Sequence, residues 1–178
     1  MRTSVVLAVL AVLAFIGCDR IRPDSPNFTL PPVEAVDSVY ADHGLGVEVQ
    51  FSGNVVELRA VQPRAQLRQG GALWARVGPY IYLLTPATEA VFETWDGVAA
   101  VRAITLTASG DEIARATLLR TTFAEPQWRR ATNLLGRAVR EGTERPSRIE
   151  ALVHFGEDHT EHEYNPRYVP SGETRGGA

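Results

Sequence analysis

A single cysteine, Cys18, occurs in the 178 residues, and only Gly17 separates it from an apolar run that is unbroken from Val5 to Ile16. Whatever folds beyond that point has no disulfide to staple it and must bury a hydrophobic core of its own. The remaining stretch of about 160 residues is long enough, because a domain of that size buries roughly two-thirds of its unfolded surface. The one methionine is Met1. A C-x-x-C-H haem attachment, a Cys-ligated iron–sulfur cluster and a Cys–Met copper site are therefore excluded from the folded part, and no cofactor is expected.

The start of the chain has the organisation of an export signal. Arg2 precedes the apolar run, and Gly17 places a small residue before Cys18. The twelve apolar residues would rise only about 18 Å as a helix, against a hydrocarbon core of roughly 30 Å. Phe15-Ile16-Gly17-Cys18 resembles the lipobox of bacterial lipoproteins, a resemblance confined to residues 1–18. It implies that Cys18 is lipidated and becomes the first mature residue. The expected location is then the bacterial cell envelope, on the periplasmic side, anchored to the membrane by the N-terminal lipid. A retained leader is the alternative anchor.

All eighteen basic residues are arginine, and the formal charge of −3 becomes −4 once Arg2 leaves with the leader. A net acidic chain is a poor general nucleic-acid binder, so none is expected as a partner. Residues 19–32 hold four prolines and read as an extended tether. Residues 33–156 read as the globular domain, and 157–178 as a loosely held polar tail.

Within the domain, Val33 to His43 suits either a short helix or an irregular lead-in. Val47, Val49 and Phe51 alternate with polar residues, and Val55 to Val61 resumes after Ser52-Gly53-Asn54, which predicts a hairpin. Ala72–Val77 and Tyr80–Leu84 are strand-like around Gly78-Pro79, while Thr85–Trp95 fits either a capped helix or a strand. A second hairpin is predicted over 98–122. One amphipathic helix is predicted over 126–141, with Trp128, Ala131, Leu135, Ala138 and Val139 on one stripe. Ser147–Phe155 reads as a last strand. The expected fold is mainly β: an antiparallel β-sandwich or sheet with immunoglobulin-like spacing, lacking the Cys–Trp–Cys signature, plus one late helix.

No nucleophile motif or phosphate loop is present. Arg129, Arg130, Arg137 and Arg140 lie off the apolar stripe of the late helix and are candidate partner-binding groups. Tyr164, Arg167 and Tyr168 in the tail are candidates too, because Tyr and Arg anchor interfaces. His154, His159, Glu161 and His162 are of the residue types that Zn²⁺ would use, but their spacing matches neither H-E-x-x-H nor H-x-x-E-H. The expected role is a non-catalytic protein-binding module, an accessory subunit of a membrane-embedded complex, respiratory, photosynthetic or other. The alternative is a metal-binding periplasmic protein or metal-dependent hydrolase using residues 154–163.

Overall fold

The computed structural model describes residues 28–170. Cys18, the leader and most of the tether lie outside the described residues, as do residues 171–178.

Both expected hairpins form. Strands β1 (Glu48–Ser52) and β2 (Val55–Val61) pair antiparallel, as do β3 (Ala100–Leu106) and β4 (Glu112–Leu119). What joins them overturns the mainly β expectation. The fold is mixed α/β, with 51% of the described residues helical against 22% in strands, and one five-stranded mixed sheet. Strand order is β1-β2-β3-β4-β5, and β2 and β3 run parallel. A parallel pair needs a long crossover, and helices α2 (Arg64–Leu83) and α3 (Pro86–Thr94) make it. They follow a first helix, α1 (Val33–Asp42).

Two segments expected as strands are helices. Residues 72–84 have aromatic and β-branched content and a turn-like Gly78-Pro79 pair, which favour extended structure when read locally. In α2, however, Ala75, Val77, Gly78, Pro79, Tyr80 and Leu83 are all buried. A helix covered on most of its circumference shows no clear apolar period. Its course also breaks at Gly71 (φ 55°, ψ −140°), a backbone conformation that a residue with a Cβ rarely adopts. The second such segment, residues 147–155, belongs to α5 (Pro146–His159). Ile149, Leu152, Val153 and Gly156 are buried there, at i, i+3, i+4 and i+7, the spacing of one helical face. Thr85–Trp95 takes the helical alternative, the Thr85 hydroxyl accepting from the Thr88 N–H at 3.3 Å with Pro86 next in line.

A sandwich would need a second apolar sheet face. One face of this sheet is apolar: Val56, Leu58, Val101, Ala103, Ala116 and Leu118 join Tyr80, Leu83, Trp128 and Leu152 of the helices in the main core. The other face carries charged rows. Glu57, Arg102 and Thr117 lie in register, with Arg102 donating to Glu57 at 3.0 Å and to Thr117 at 3.0 Å. Packing a second sheet there would strip water from those charges.

Residues 157–170 are built into the fold rather than forming a loose arm. Residues 157–159 complete α5, and β5 (Glu161–Tyr164) pairs antiparallel with β4. Val169 is buried in a small second core with Ala75, Ile113 and Ala114. A bulge helps: Thr105 pairs Ala114 and Leu106 pairs Glu112, leaving Ile113 as the extra residue. Arg120, just after β4, donates to the carbonyls of Phe92, Trp95 and Val98, so it satisfies acceptors at the end of α3 and in the turn that follows it. No helix among the described residues is long and apolar enough to cross a membrane.

Candidate interaction surface

The late helix, α4 (Glu125–Glu141), owes its orientation to the division between its two sides. Trp128, Ala131 and Ala138 are buried, and Trp128 meets Phe123 edge-on at 4.9 Å. Val139, expected on that stripe, is 65% exposed. At 100° per residue it lies at the stripe's border. The opposite side presents Arg129, Arg130, Arg137 and Arg140, all exposed. Together with Pro126 and Asn133 they line one open groove of about 570 Å³. From Arg129 to Arg140 the stripe runs roughly 16 Å along the axis.

Electrostatically the stripe is unbalanced. Arg129 stands 3.5 Å from Glu125, and Arg130 lies over the Phe155 ring at 5.3 Å. Arg130, Arg137 and Arg140 have no carboxylate partner among the described residues. Like charges one turn apart, such as Arg137 and Arg140, destabilise a helix by about 0.2–0.5 kcal/mol. Only the placement of Arg140 in the last turn and Glu125 in the first suits the helix dipole.

The tail candidates divide. Tyr164 is an internal group: its hydroxyl donates to Glu157 at 2.8 Å and meets the Tyr80 hydroxyl at 2.9 Å. Glu157 also takes Nε and Nη2 of Arg76 at 3.0 and 2.7 Å, a fork that only a guanidinium makes. Burial opposes the Arg76 charge, but the bonds and charge of Glu157 outweigh it and hold the Arg76 pKa above its ordinary value. This network joins α2, α5 and β5. Its acid and base groups are consumed by one another, so it has structural rather than reactive character. Arg167 is exposed and Tyr168 half-buried, and they share a groove with Arg64 and Arg68, which were not among the candidates read from the sequence.

The histidine–acid set is not assembled. His154 and His159 are five residues apart on α5, about 140° around it. His159 stacks on Phe155 at 4.3 Å and donates Nδ1–H to the Phe155 carbonyl at 2.7 Å. Glu161 and His162 are exposed on β5. Among the described residues, no group of three or more His, Cys, Asp or Glu side chains could hold a metal ion.

The tyrosines have a measurable signature. Burial raises the ionisation of Tyr40, Tyr82 and Tyr164 above the ordinary phenol value, and pushes Tyr80 up to about 12. Between pH about 10 and 12 the native state then holds protons that the unfolded state has released, so stability falls as pH rises through that window. Phenolate absorbance is expected to appear largely together with unfolding, read by circular dichroism on the same sample. Smooth ionisation of all five tyrosines in a still-folded chain would contradict this.

No protein-family model matches the chain, and neither the curated proteins nor the solved structures include one recognisably similar to it.

Proposed function

We propose that this chain is a membrane-anchored envelope lipoprotein that acts without catalysis, docking its α4 arginine stripe on an acidic protein surface as an accessory subunit of a membrane-embedded complex. The observation that carries the reading is the unpaired charge of Arg130, Arg137 and Arg140 along one open helix face. Guanidinium groups lose little entropy per hydrogen bond formed and bind carboxylates bidentately. Complementary charge of this kind sets orientation and speeds encounter more than it adds affinity. The lipid on Cys18 would supply the remaining localisation by confining the search to the membrane surface, where a weak contact suffices.

The test is gentle detergent extraction of the host's membranes, followed by native sizing and mass spectrometry of the co-migrating chains. Wild type is expected to co-migrate stoichiometrically with integral membrane proteins. Arg130→Glu combined with Arg137→Glu is expected to abolish that co-migration while moving the Tm by less than about 2 °C, since both side chains are exposed. Undiminished co-migration of the double variant would remove the stripe from the interface.

A further inference from the structure

A second basic site lies elsewhere on the fold. The start of α2, the turn between β3 and β4, and the segment after β5 converge on a groove of about 400 Å³. Arg64 and Arg68 come from α2, Thr107, Ser109 and Asp111 from the turn, and Arg167 and Tyr168 from the C-terminal segment. The three arginines are exposed, and none has an ion-pair partner among the described residues. Asp111 is the one carboxylate in the lining. It is committed to its own turn, accepting from the Ser109 hydroxyl at 2.9 Å while its N–H donates to Thr107 Oγ1 at 3.1 Å. Three guanidinium charges against one carboxylate leave an excess that a dianion would balance.

Apolar groups stand among the charges. Leu67 lines the groove and packs, with Tyr168, against the small core of Ala75, Ile113, Ala114 and Val169. That packing holds Tyr168 in place beside Arg167, whose guanidinium lies 5.8 Å from its ring. Position also matters. The backbone carbonyls of Phe28 and Thr29, where the described chain begins, crowd Gly97 ahead of β3. The groove lies at the other end of that strand, roughly 20 Å away. It is thus at the end of β3 opposite Gly97.

We propose that this groove binds an organic phosphate monoester, its dianionic group held by Arg64, Arg68 and Arg167 and its apolar body laid on Leu67 and Tyr168. Planar guanidinium forks fit phosphate oxygens better than point charges do, and Leu67 and Tyr168 favour an ester over the free anion. This site is separate from the α4 stripe, and neither proposal depends on the other.

The experiment is calorimetric titration of the full chain in detergent with phenyl phosphate and, separately, with inorganic phosphate. Saturable binding of phenyl phosphate is expected, at least tenfold tighter than inorganic phosphate. Arg64→Ala with Arg167→Ala should weaken it tenfold or more, whereas Arg137→Ala with Arg140→Ala should leave it unchanged. Thermal melts of both variants confirm folding. Absence of saturable binding, or equal loss in the two variants, would overturn the site. Equal affinity for the two ligands would overturn the role of Leu67 and Tyr168.

Discussion

Glu157→Ala is expected to cost about 3 kcal/mol of folding stability, near the lower end of what breaking a buried ion pair costs. Arg76 and Glu157 expose only 12% and 18% of their side chains, so solvent cannot replace the lost partner well. The substitution strands two donors at once: the Arg76 fork and the Tyr164 hydroxyl, both of which end on Glu157. In urea unfolding of the full chain the midpoint should fall while the slope stays constant. A double variant, Arg76→Leu with Glu157→Leu, should recover part of the loss, because removing both charges is far cheaper than orphaning one. A loss below about 0.5 kcal/mol would show that the pair behaves as an ordinary surface bridge. The same geometry means that deleting residues 157–178 should destabilise the whole domain. It removes Glu157, strand β5 and the buried Val169 together.

Gly156→Ala is expected to lower stability by about 2 kcal/mol, although glycine to alanine inside a helix ordinarily stabilises by roughly 0.5–1 kcal/mol. A Cβ at Gly156 would sit 2.4–2.6 Å from Cδ1, Cε1 and Cγ of Tyr80. The Tyr80 ring has no room to yield: it is fully buried, and its hydroxyl is tied to Tyr164. Relief requires α5 to move off α2, which opens the core between them. For a domain of this size the loss corresponds to a Tm about 4–8 °C lower. A rise in Tm would mean that the two helices are loosely apposed.

These two neighbours illustrate where sequence reading stops. Gly156 and Glu157 lie in a segment whose histidines and carboxylates suggest a metal site or a solvated tail. Their partners, Tyr80 and Arg76, stand 76 and 81 positions away in the sequence, in a stretch that reads locally as strand. No short-range period reveals a close approach of two helices. The helical signal in α5 was nevertheless present, since Pro146 and the spacing of Ile149, Leu152, Val153 and Gly156 fit one helical face. The run Ile149 to Phe155 is rich enough in branched and aromatic residues to read as a strand.

The features read from sequence were local. The period-two alternation around Ser52-Gly53-Asn54 and the second hairpin over 98–122 are each the property of one hairpin, stabilised by contacts between near neighbours. The amphipathic division of α4 is likewise a property of one element, so the exposed positions of Arg129, Arg130, Arg137 and Arg140 followed from spacing alone. Tertiary structure decided everything that depends on which elements meet. It made β2 and β3 parallel partners, folded residues 64–94 into the crossover between them, and brought Arg64 and Arg68 beside Arg167. The reason is physical: a hairpin's register is set by its turn and its neighbours, whereas helix placement is set by burial against groups far away in the chain.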